Sequence, residues 1–153
     1  MTRIEKIRDG IRTVLTQAFS SAGVAVDIWD LSDAKNADRI PDRFPAVMLA
    51  YAGHGTPEDS ELSSRTNLPT IYRWVIVIAA ENWRSPVAAL NDTLGCEELE
   101  EMLFDSLRTT PLAQIGDEEV YLVHVDTAPE DFSGVQAGIR ALCQQWQTNQ
   151  ILV

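Results

Sequence analysis

With 153 residues, 45% of them hydrophobic and 23% charged, the chain has the size and balance of one globular domain, residues 1–153, large enough to bury a core. Its 23 acidic against 12 basic residues give a formal net charge of −11, which argues against a nucleic-acid reader because few cations are available to displace counterions from a phosphate backbone. No apolar run approaches the roughly 18 residues that cross a bilayer, and residues 1–6 lead into mixed charge instead of a signal-peptide core, so the expected compartment is the cytoplasm.

The first predicted element is an amphipathic helix over residues 2–20. Ile4, Ile7, Ile11, Val14, Leu15 and Ala18 recur at helical spacing, with Arg3, Glu5, Lys6, Arg8, Asp9 and Arg12 on the other side. Thr2 with Glu5 three residues on has the spacing of a capping box, and Ser20-Ser21-Ala22-Gly23 supplies the stop. Gly10 sits inside this pattern, where it costs about 1 kcal/mol relative to alanine and predicts an imperfectly straight helix. Val24-Ala25-Val26-Asp27-Ile28-Trp29 then alternates as a short, half-buried strand. Residues 30–45, with four aspartates, Pro41 and Pro45, read as a surface connection. A second strand over residues 46–51 is expected to end at Gly53-His54-Gly55. Residues 53–69 are nearly free of apolar side chains and exceed the usual hairpin connection of roughly two to five residues, which marks either a partner-contacting loop or a plain excursion.

The longest apolar run, residues 73–82, is rich in Val and Ile and continuous instead of alternating, the pattern of a central strand buried on both faces. Trp83-Arg84-Ser85-Pro86 breaks it, and Ser85 with Pro86 can open a short helical turn through Val87, Leu90 and Leu94. A second helix follows Gly95: Leu99, Met102, Leu103, Ser106 and Leu107 make one stripe, carboxylates crowd the first turn, and Thr109-Thr110-Pro111 ends it. Val120 to Asp126 reads as a further strand after a turn at Gly116-Asp117-Glu118, and Pro129 to Gly134 as the turn-rich stretch that follows it. Residues 135–148 fit both a helical stripe and a strand face; Gly134 and Gly138 weaken a helix, and the leaning to a strand rests in part on the family resemblance given below.

Motifs for chemistry are sparse. His54, His124, Cys96 and Cys143 show no close ligand spacing, so neither a metal site nor a cofactor is expected, and no glycine-rich phosphate cradle occurs. The two cysteines are expected as reduced, buried thiols. Glu97, Glu98, Glu100, Glu101 and Asp105 read as a solvated face suited to the helix dipole. Of the four tryptophans, Trp83 beside Arg84 at a strand exit is the one expected at an interface. With the polar loop this gives a candidate interface set of His54, Glu58, Asp59, Arg65, Trp83 and Arg84, and no catalytic residue.

Four pieces in order carry a resemblance: Phe44-Pro45-Ala46-Val47 before the second strand, the strong strand into Trp83-Arg84-Ser85, the Gly95 helix with Leu99 and Leu103, and the closing Ile139 to Trp146 segment. Together they resemble the tail-completion or tail-terminator-like proteins of Mu-like and other contractile-tailed phages and prophages. The resemblance implies an α+β fold, with a twisted, mainly antiparallel sheet of about four or five strands and two main helices packed on one face. It also implies a structural, non-enzymatic role in the virion tail, assembled in the host cytoplasm: capping the tail tube and contributing to head–tail joining. The implied partners are copies of itself in a ring such as a hexamer, the tail tube protein and the head–tail connector protein, with no sequence-specific nucleic acid and no membrane. A like-signed lumen wall would keep passing DNA from sticking, which gives the acidic balance a use. The rival from another class is a small-molecule or peptide-binding α+β domain, or a hydrolase whose residues converge only in three dimensions; a deep apolar pocket holding His54 or His124 would favour it.

Overall fold

The computed structural model describes residues 1–32, 41, 43–57, 69–81, 95–130 and 138–152. Its elements are α1 (Arg3–Ala22), β1 (Asp27–Asp30), β2 (Ala46–Gly55), β3 (Pro69–Ala80), α2 (Cys96–Thr109), β4 (Ala113–Ile115), β5 (Glu118–Val120), β6 (Leu122–Glu130), β7 (Arg140–Thr148) and β8 (Ile151–Leu152). The main sheet is six-stranded in the order β1-β2-β3-β7-β6, with β8 beside the start of β3, and β4-β5 form a separate hairpin. Only β1 against β2 is parallel. The class is α+β as expected, with more strands than anticipated.

Each helix is bounded by its own sequence. Thr2 and Glu5 close the capping box, with Thr2 N–H donating to Glu5 Oε2 at 2.6 Å and Glu5 N–H to Thr2 Oγ1 at 3.1 Å. The Thr2 backbone N–H, and then the Thr2 hydroxyl, hold the Glu5 carboxyl below its ordinary range. At the other end Gly23 takes φ 68° and its N–H reaches the Phe19 and Ser20 carbonyls, a left-handed stop open to glycine without strain. Gly10 has a packing reason: a Cβ built there would lie 2.4 Å from the Leu112 carbonyl oxygen, so the chain leaving α2 runs directly over the helix at this point. In α2, Gly95 N–H donates to Glu98 Oε2 at 3.4 Å, Glu97 and Glu98 occupy the first turn and Arg108 the last, the charge order that suits the dipole.

The core lies between the helices and one face of the sheet. Ile7, Ile11 and Leu15 of α1 and Leu99, Leu103 and Leu107 of α2 are fully buried against Trp74, Ile76 and Ile78 of β3 and Trp146 of β7. Burying each such side chain stabilises the fold by about 1.5–3 kcal/mol, so the two helical stripes account for the docking of both helices. On the opposite face Met48, Ala79, Ile139 and Ala141 form a smaller cluster with Trp29, Phe44 and Val77. The far half of β3 is therefore covered on both sides, as its unbroken apolar run implies.

Four boundaries differ from expectation. The first strand starts at Asp27 instead of Val24, where the Asp27 N–H meets the Pro45 carbonyl and parallel pairing with Ala46 begins. β2 does not stop at Gly53: the glycine, at φ 99°, absorbs a bulge between Tyr51 and His54, after which His54 pairs Tyr72 and Gly55 pairs Ile71. The strand expected over 120–126 is divided at Tyr121, because Asn149 accepts the Tyr121 N–H, donates to the Tyr121 carbonyl and donates its side-chain amide to the Glu119 carbonyl. Val120 thus closes the β4-β5 hairpin, which was not anticipated, while Leu122 opens β6. β6 in turn runs through Pro129 and Glu130, where a turn was expected; proline is tolerated there because β6 is an outer strand. The ambiguous C-terminal segment is strand β7. The helical turn expected after Ser85-Pro86, the bodies of the 30–45 and 53–69 connections, and the Val135 end of the last segment fall outside the described residues.

Candidate functional site

Of the six residues proposed for an interface, His54 is described; Glu58, Asp59, Arg65, Trp83 and Arg84 lie outside the described residues. His54 stands just past the Gly53 bulge on the helix side of the sheet. Its ring stacks on Tyr51, with centroids 6.2 Å apart and planes 23° from parallel, and lies 5.2 Å from Tyr72, while its Nδ1 shares a short hydrogen bond with the Tyr51 hydroxyl. Burial, and then the neighbouring Tyr72, push the Tyr51 hydroxyl above its ordinary range despite the pull of Arg73. The imidazole is exposed yet held by two aromatic neighbours, so it presents one ring edge outward from a fixed seat.

Below it the aromatic column continues. Trp74 lies 5.1 Å from Tyr51, its buried Nε1 has no hydrogen-bond partner among the described residues, and the Arg8 guanidinium sits 5.8 Å over its ring. Arg8 Nε is 3.5 Å from Asp30 Oδ2 and Arg12 approaches the same oxygen at 3.9 Å, while Ser32 donates its N–H and hydroxyl to Asp30 Oδ1 at 2.9 and 2.6 Å. This mostly buried carboxylate ties the middle of α1 to the end of β1. Nothing in the group resembles a nucleophile with its base. It is a structural lock.

The second histidine is also built into packing. His124 meets Phe104 and Trp146 edge-on at 4.9 and 5.1 Å and its Nε2 is 2.6 Å from Thr127 Oγ1. Beside it the fully buried Gln144 accepts from Trp146 Nε1 at 2.9 Å and donates to the Glu100 carbonyl and carboxylate at 3.1 and 3.2 Å, binding α2 to β7. Burial raises the Cys96 thiol to about 12, aided by Glu100 and Glu97 against the opposing effect of a Leu142 backbone hydrogen bond; its Sγ is 3.3 Å from the Ile78 carbonyl oxygen. Cys143 is raised by burial, then by Glu130 and Asp126. Both cysteines are free thiols. Thiols so shifted stay protonated and make poor nucleophiles or metal ligands. Among the described residues no group of three or more His, Cys, Asp or Glu converges as a metal cage, and no helix is long and apolar enough to cross a membrane.

Four hollows on the described surface bear on the site. Three lie along α1 and its junction with α2, lined by residues such as Thr13, Gln17 and Ser106. A fourth, of about 210 Å³, lies on the sheet and is lined by Ala52, Arg73, Val75, Val125, Gln145 and Gln147 among others. Neither histidine lines any of these four. The sheet hollow belongs to the half of the helix-free face that the second cluster leaves uncovered: cross-strand rows Val123-Gln147-Arg73 and Asp126-Gln145-Val75-Ala50 carry two valines, an alanine and two glutamines with one cation, Arg73, and one carboxylate, Asp126.

No protein-family model matches the chain, and no curated protein matches it. A solved structure does. A chain of the virion of a native gene transfer agent (GTA) particle matches with a TM-score of 0.50 and 12% sequence identity, over 94% of this chain and 90% of that one. At that identity the likeness is one of fold, from end to end of both chains. The open sheet face, in contrast to the polar loop, left little trace in the sequence: Arg73, Val75 and Val77 look like part of one buried run, and only the pairing shows that the first two sit beyond the cover of the second cluster. The alternation of exposed Val123 and Val125 with Leu122 and His124 was the available signal.

Proposed function

We propose that this chain is a structural subunit of a phage-like particle, a tail terminator or completion protein that caps the tail tube, joins in head–tail connection and works by assembling into a ring. The observation that carries this is the match in fold to a virion chain, which spans 94% of this chain and 90% of that one. It agrees with the order of sequence features that resembles tail-terminator-like proteins. A ring joins unlike surfaces of neighbouring copies head to tail, so one subunit must carry both halves of the contact. Exposed Glu97, Glu101 and Asp105 on α2 give each copy an acidic ridge, and turned toward the bore it would repel passing DNA; acidic residues on the outer circumference with a basic bore would remove that part.

Deleting the gene in a particle-producing cell tests the role. Tails of uncontrolled length that fail to join heads are the expected result, restored by the gene in trans. Particles with tails of normal length and full infectivity or transfer would overturn it.

A further inference from the structure

Strand β6 is an outer strand of the main sheet, paired with β7 on one side and, among the described residues, with nothing on the other. Proteins usually blunt such edges with charge, proline or a covering element, since an open row of main-chain donors and acceptors invites another strand. Here Asp126, Pro129 and Glu130 blunt only the far half. The near half carries no carboxylate, and Tyr121, Val123 and Val125 are 46%, 42% and 53% exposed while Leu122 is buried. Of six exposed large hydrophobic residues among those described, three thus fall within one short stretch of one edge. Val125 is the extra residue of a bulge between His124 and Asp126 and lines the sheet hollow, so the apolar stripe continues from the edge onto the open face. Carboxylates stand at both ends of it: Asp117, Glu118 and Glu119 in the hairpin before, Asp126 and Glu130 after.

We propose that the β6 edge takes up an extended segment of a partner chain by strand addition, a segment with apolar side chains at its centre and basic side chains at both ends. The unpaired main chain calls for an extended occupant, the alternating exposed side chains read its central residues, and the flanking acids select its charge. The same acids and the net charge of −11 disfavour a second copy of this chain in that place. The proposal stands apart from the virion role, since an edge of this kind would recruit such a segment in any assembly.

The test uses the full chain, isotopically labelled, titrated with a short synthetic peptide in which valine and threonine alternate between paired lysines at either end. The expected result is shifted and exchange-protected amides along residues 122–130, no comparable effect from the same peptide with glutamates for lysines, and affinity about tenfold weaker in the Val123→Thr, Val125→Thr double variant. Both positions are exposed, so an unchanged amide pattern elsewhere verifies that the variant folds. Absence of any change at the β6 amides, equal binding of both peptides, or β6 protection that grows with protein concentration and no peptide would each overturn the proposal, the last by assigning the edge to a second copy.

Discussion

Gly10 illustrates how a residue that looks like a defect in one dimension is a requirement in three. In an isolated helix, alanine there would add about 1 kcal/mol of stability. In this fold its Cβ meets the Leu112 carbonyl at 2.4 Å, so Gly10→Ala is expected to lower stability by about 1–3 kcal/mol in chemical denaturation. An increase would contradict the close approach. Cys96 gives a pH-dependent counterpart. Its thiol is raised from 9.0 to about 12 in the folded chain, so from pH 9 upward the unfolded chain loses a proton that the folded chain keeps. Stability should therefore fall between about pH 9 and 12, and Cys96→Ala should flatten that part of the fall as measured by denaturation at several pH values. A slope identical in wild type and variant would refute the shift.

At the scale of elements, α2 is held to the sheet by a polar contact as well as by its leucine stripe. Gln144→Ala would strand the buried Trp146 Nε1 and remove both bonds to Glu100, at a cost of about 1–3 kcal/mol, with faster amide exchange concentrated in α2 and β7. Uniform exchange changes across the fold would argue against a local tie. The capping box makes a gentler case: Thr2→Ala should speed exchange in the first turn of α1 and leave the Gly23 end unaltered. Both helices and the central strand were legible because their signals are local: a cap, a periodic stripe and a continuous apolar run. The breaks were not, since Asn149 divides β5 from β6 across 28 residues and the Gly53 bulge shows only once β3 is laid beside β2. The choice of strand for residues 140–148 required a partner on each side, β3 and β6, which no window of sequence contains.

At the scale of the molecule, one face of the sheet is filled by helices and the other is only half covered, leaving an area of mixed valine, glutamine and alanine side chains with Arg73 and Asp126 on a chain of charge −11. His54 was found from sequence as a member of a polar loop, whereas it is seated on aromatic residues of β2 and β3; the exposed stripe of β6 was missed because alternation reads as an ordinary half-buried strand. The most direct test is electron cryo-microscopy of particles from cells that make this protein. We expect density fitting this α+β subunit as a closed ring at the head-proximal end of the tail tube; intact particles whose every tail and neck component is accounted for by other chains would contradict the assignment.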